Sequence, residues 1–78
     1  MEFVTDRKYV SLIIDFFGKH VKFSEQKDGT VNCRLKVSAT AMKHWAAEHA
    51  NIVKVVSPPE LVEEIREEVR KAAEMYLD

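Results

Sequence analysis

The chain has 78 residues, with 12 Lys and Arg against 13 Asp and Glu, so its formal net charge is −1. A chain of this size forms one domain at most, and it buries only ~60% of the surface that its unfolded form exposes. A single cysteine excludes an internal disulfide, and no apolar run approaches the ~20 residues that span a bilayer. We therefore expect one cytoplasmic domain over residues 1–78, with no membrane partner.

The first half of the chain predicts a strand, a helix and a β-hairpin. A strand candidate over residues 2–5 precedes a helix expected over 7–17, whose apolar residues recur at helical spacing. Two alternating runs follow, at 20–25 and 30–38, and the Asp-Gly pair between them is a strong signal for a type I′ hairpin turn. The alternation gives this hairpin one apolar face and one polar, basic face.

The second half predicts a helix, a fourth strand and a long charged helix. The second helix is expected over 39–50 and the fourth strand over 52–56. Ser57 and Glu60 have the spacing of a capping box, with Pro58 at the first position of the last helix. The sequence thus predicts that a serine cap joins the fourth strand to the last helix.

The last helix is amphipathic and ends near Tyr76. Its apolar residues recur at helical spacing, and acidic and basic residues occupy the other face. Residues 57–78 hold three bases against seven acids, whereas residues 1–56 hold nine bases against six acids. This contrast between a basic first part and an acidic last helix suggests that charge orients neighbouring copies or domains when they bind. Exposed ion pairs contribute little, so the binding energy must come from apolar side chains. The candidate interface residues on this helix are Leu61, Ile65, Val69 and Tyr76.

The order β-α-β-β-α-β followed by a helix predicts an α+β fold. It is typical of a ferredoxin-like sandwich, a four-stranded antiparallel sheet of order 4-1-3-2 with two helices on one face. The C-terminal amphipathic helix has no fixed place in this scheme. It must cover a sheet edge, lie on the open face of the sheet, or reach another chain.

The residue pattern gives little support to catalysis or to a cofactor. His20, His44, His49 and Cys33 lack the spacing of metal ligands, and the two glycines do not form a phosphate-binding loop. We expect Cys33 to be a buried structural thiol. The sequence therefore predicts no enzyme, no metal and no cofactor.

Four cations are expected to converge on the face of the sheet that the helices leave open. Such a cluster can hold an anionic ligand, a nucleic-acid backbone, or the acidic helix of the same or a partner chain. An ordinary solvated face, with cations that guard edge strands against aggregation, is the alternative. The third strand lacks the aromatic residues on which RNA-recognition motifs stack bases. The candidate anion- or partner-binding residues are Lys22, Arg34, Lys36 and Lys54.

Residues 45–76 resemble the C-terminal end of bacterial WYL-domain transcriptional regulators. In those proteins a helix with a Trp precedes a turn, a strand that runs into V-x-V-x-S-P-P-E-L, and a charged helix that ends in Tyr. This chain has Trp45, the run Val-Lys-Val-Val-Ser-Pro-Pro-Glu-Leu, and Tyr76 in that order. It departs at Asn51, where the family usually has Gly. The region is the WYL C-terminal extension, or WCX, which is ferredoxin-like.

The resemblance implies a non-catalytic regulatory and dimerisation domain, excised from the C-terminus of a longer regulator. It implies a homodimer, contact with the WYL domain of the same or a partner chain, and an upstream winged helix-turn-helix that binds DNA. A nucleic acid or a small effector would bind through the full-length protein. The competing interpretation is an ACT-like domain that binds small molecules, although the glycine-containing loop usual there is absent after the first strand.

Overall fold

In the computed structural model, which describes residues 1–77, four strands form a single antiparallel sheet. The strands are β1 Glu2–Asp6, β2 Lys22–Glu25, β3 Thr30–Arg34 and β4 Val53–Ser57. The α-helices are α1 Val10–Phe17, α2 Ala39–Glu48 and α3 Pro59–Tyr76. The sheet order is β2-β3-β1-β4, which confirms the predicted α+β ferredoxin-like arrangement with a C-terminal helix.

The core lies between one face of the sheet and the helices. Alternate residues of the central strands point into it, because successive side chains of a strand lie on opposite faces. Cys33 pairs across the sheet with Phe3, which in turn pairs with Val55, and all three are buried. The largest fully buried side chains are Phe3, Ile13, Leu61, Val31 and Cys33.

The hairpin between β2 and β3 differs from the predicted type I′ turn. Only Gly29 has a positive φ, of 85°, and the backbone N–H of Gln26 donates to Thr30 O at 3.0 Å. This leaves a three-residue loop with glycine at the left-handed position, the next commonest hairpin connection. β3 ends at Arg34, four residues earlier than expected, because the strand pairing with Lys22 of β2 and Glu2 of β1 stops there.

The predicted capping box at the start of α3 is wrong. Ser57 is the last residue of β4, and the N-cap is Pro58, which makes no side-chain capping hydrogen bond. The Ser57–Pro58 peptide bond is cis, and Pro58 is extended, with φ −74° and ψ 159°. The cause is Pro59, since a proline pushes the residue before it out of the helical region. Pro59 is therefore the first helical residue.

The third helix lies beside α2 on the helical side of the sheet. It packs against α2 and β4, and its first turns supply Leu61 to the core, with Val62 and Ile65 packed around it. The acidic helix therefore does not cover the open sheet face of its own chain. That face carries Lys22, Arg34 and Lys54.

Candidate functional site

The inner half of α3, residues 59–65, belongs to the core of the domain. Leu61 is only 1% exposed, and Ile65 is half-buried against the same cluster. Val69, Ala72 and Tyr76 continue the stripe that Leu61 and Ile65 begin, because residues three or four apart share a helix face. The stripe therefore extends well beyond the part of the helix that the core covers.

The outer half of α3, residues 66–76, extends beyond the helix that flanks it. α2 has 10 residues and α3 has 18. At 1.5 Å per residue, α2 is about 15 Å long and α3 about 27 Å. α2 is therefore too short to cover the whole apolar stripe of its neighbour.

Two apolar features mark the outer half. A shallow groove of about 320 Å³ lies where α3 passes the end of α2. It is lined by Ala47, Glu48, Ala50, Glu68, Val69 and Ala72. Beyond it, Met75, Tyr76 and Leu77 are 79%, 87% and 80% exposed. Exposed apolar side chains that adjoin a groove are typical of a contact surface.

The charged face of α3 is held largely by pairs within the helix. Arg66 donates to Glu63 at 2.8 Å, and Arg70 contacts both Glu67 and Glu74. All of these side chains are exposed, so solvent screens each pair and its contribution to stability is small. The charged face thus supports the helix and offers little binding energy.

Three of the four predicted cations, Lys22, Arg34 and Lys36, line one groove. Lys22, Arg34 and Glu2 are direct neighbours on adjacent strands, in one row across β2, β3 and β1. Lys36 lies beside this row, and the four residues share an open groove of about 610 Å³ with His20, Met1, Leu35 and Ser57. Lys54 is on the same face opposite Val4, and it does not line the groove.

Glu2 is the residue of this groove that sequence reasoning missed. Its Oε1 accepts a hydrogen bond from Arg34 Nε at 2.9 Å, and its Oε2 accepts one from Asn32 Nδ2 at 3.4 Å. The bond from Arg34, and then that from Asn32, lower the pKa of the Glu2 carboxyl from 4.5. An acid therefore sits among the cations and stays ionised at neutral pH.

Cys33 and His49 are integrated into the packing. Cys33 is fully buried, and burial raises the pKa of its thiol to about 11. The Nδ1 atom of His49 is 2.7 Å from Trp45 O, and its ring stacks on the Trp45 indole with the ring centres 4.9 Å apart. Within residues 1–77, no group of three His, Cys, Asp or Glu side chains is placed to hold a metal ion.

The fold and these surfaces define a small ferredoxin-like domain with an added C-terminal helix. Residues 2–73 match the family model of the WCX domain, so the chain belongs to the WCX domain family. This confirms the predicted resemblance, and it makes the chain a regulatory domain of WYL-type regulators. No curated protein and no solved structure shows significant similarity to it. Among the described helices, none is long and apolar enough to cross a membrane.

Proposed function

We propose that this domain is a non-catalytic dimerisation and relay module of a bacterial WYL-type transcriptional regulator. The observation that supports it best is the apolar stripe of α3, which continues past the end of α2 through Val69 to Tyr76. A partner surface that covers the outer half would bury side chains that this chain leaves in water. The candidate partners are a second copy of the domain and the WYL domain of the same or the partner chain.

The relay works through two arrangements of that contact. An effector bound near the boundary between the WYL domain and this domain favours one arrangement, because it binds that arrangement more tightly. The change in packing across the dimer then alters the spacing of the upstream winged helix-turn-helix domains on DNA. Within this scheme the domain transmits a signal and carries out no reaction.

The size of the surface sets the expected affinity. Burial of one large apolar side chain contributes about 1.5–3 kcal/mol, and the outer half of α3 offers few of them. A standard stable interface buries about 800 Å² per partner, more than one short helix end supplies. We therefore expect the isolated domain to self-associate weakly, with its dimer populated only at high micromolar concentration.

Sedimentation velocity over the micromolar range tests the dimer role. Tyr76→Gln should weaken self-association about tenfold, because it removes the most exposed aromatic side chain of the stripe. Lys71→Gln is the matched control, since it introduces the same residue on the opposite face of α3, and it should leave association unchanged. A chain that stays monomeric at high micromolar concentration would contradict the dimer role of this domain, as would equal effects of the two variants.

A further inference from the structure

The groove that Lys22, Arg34 and Lys36 line has an excess of positive charge. Lys22, Arg34, Lys36 and the amino group of Met1 carry four positive charges there, and Glu2 carries one negative charge. Side chains directly opposite one another on paired strands have Cβ atoms about 5 Å apart, so Lys22 and Arg34 are within reach of one ligand. The net positive charge of this groove favours an anion that carries more than one negative charge.

Arg34 is held in a way that leaves its binding edge free. Glu2 engages the guanidinium through Nε alone, at 2.9 Å, and Asn32 holds the other oxygen of the same carboxylate. The two terminal nitrogens of Arg34 have no hydrogen-bond acceptor within residues 1–77. A guanidinium fixed on one side presents a planar pair of N–H donors, and this pair matches two oxygens of a phosphate.

We propose that this groove binds a phosphate group. The terminal nitrogens of Arg34 contact two phosphate oxygens, and Lys22 and Lys36 flank it as point charges. A phosphate monoester carries about −1.5 to −2 charges at neutral pH, so the groove's excess of positive charge favours it. A single carboxylate carries half of that charge and matches it less well. Glu2 is a positioning residue, because it acts on the ligand only through the orientation of Arg34.

The site is independent of the proposed dimer contact. None of the residues that line the groove belongs to α3, and α3 packs on the helical side of the sheet with α2 and β4. Loss of phosphate binding therefore says nothing about self-association, and a failure of dimerisation leaves this site intact.

NMR titration of the 78-residue chain with inorganic phosphate tests the proposal, with acetate at equal ionic strength as the reference anion. Phosphate should produce saturable shifts in the backbone amides of Lys22, Arg34 and Lys36, and acetate should not. Arg34→Gln should weaken phosphate binding about tenfold, because charge-assisted hydrogen bonds are lost. Lys54→Gln is the matched control, with the same charge change on the same face outside the groove, and it should change the affinity less than about twofold.

Two variants of Glu2 separate its positioning role from its charge. Glu2→Gln and Glu2→Ala remove the same negative charge, but only Gln keeps an oxygen that can accept from Arg34 Nε. The affinity for phosphate should therefore be higher in Glu2→Gln than in Glu2→Ala, and equal affinities would refute the positioning role. Non-saturable shifts shared by phosphate and acetate, or equal losses in Arg34→Gln and Lys54→Gln, would overturn the site itself.

Discussion

The two halves of α3 share one sequence pattern and have opposite environments. In the inner half, Leu61 is fully buried and Ile65 packs beside it. In the outer half, Val69 is 39% exposed and Tyr76 is 87% exposed, although both continue the same stripe. The difference comes from the neighbouring helix, since α2 ends before α3 does. An apolar stripe therefore shows which face of a helix makes contacts, and the length of its neighbour decides how much contact lies within the chain.

The largest effect should follow from changing the inner half. Leu61→Ala should lower the free energy of unfolding by about 2–5 kcal/mol, because it leaves a cavity in the core. Leu61→Asp should unfold the domain, because the charge would have no buried partner. Urea denaturation at low protein concentration measures both variants. Tyr76→Gln changes the outer half, and this variant should unfold at the same urea concentration as the unsubstituted chain. A loss of stability as large as that of Leu61→Ala would show that the two halves of α3 do not differ in their contribution to the core.

A smaller change in stability is expected from removing the serine that the sequence pattern predicts as the cap of α3, because core contacts hold the inner half of that helix. Ser57→Ala should change the free energy of unfolding by less than about 0.5 kcal/mol, because Ser57 makes no capping bond. Asp6→Ala should cost about 1 kcal/mol, since its Oδ1 accepts from Lys8 N at 2.9 Å at the start of the turn before α1. Thermal unfolding of the two variants gives the comparison. If Ser57→Ala lowered the free energy of unfolding as much as Asp6→Ala does, Ser57 would have to cap α3 after all.

The smallest effect concerns pH and the outer half. The hydrogen bond from Arg70 lowers the pKa of Glu67 from 4.5, so the ionised carboxylate is favoured in the helix. Its contribution is fully present above pH 4.5 and is lost as the pH falls through the lower, folded-state pKa. Cα chemical shifts should therefore show a slight loss of helix around Glu67 on acidification, with Leu61 unaffected. Arg70→Gln should abolish this pH response. An unchanged loss of helix in that variant would show that other titrating groups cause it.

The order of the elements could be read from the sequence, because each element carried its own local signal. The alternation around the Asp-Gly pair and the helical spacing after residue 58 are local patterns that the fold retains. The start of α3 was mispredicted because two local rules competed there. Ser57 has the spacing of a cap, but Pro59 keeps Pro58 extended, and the steric rule prevailed.

Features that depend on distant partners could not be read in this way. Glu2 and Arg34 are 32 residues apart, and only the register of β1 against β3 brings them together. Phe23 lies on the apolar face of the hairpin and pairs with buried Cys33, but it is 38% exposed because β2 is an edge strand. Alternation thus predicts the face of a side chain and not how well that face is covered. The extent to which α2 covers α3 likewise depends on how distant elements pack, and local sequence patterns do not reveal it.

Amide hydrogen exchange along α3, measured at low and at high protein concentration, tests the central claim most directly. We expect amides near Leu61 and Ile65 to be protected at both concentrations, because the core holds them. Amides from Val69 to Tyr76 should exchange fast in dilute protein and become protected as the concentration rises. Equal protection along the whole helix in dilute protein would contradict the account, and so would an outer half that exchanges fast at every concentration.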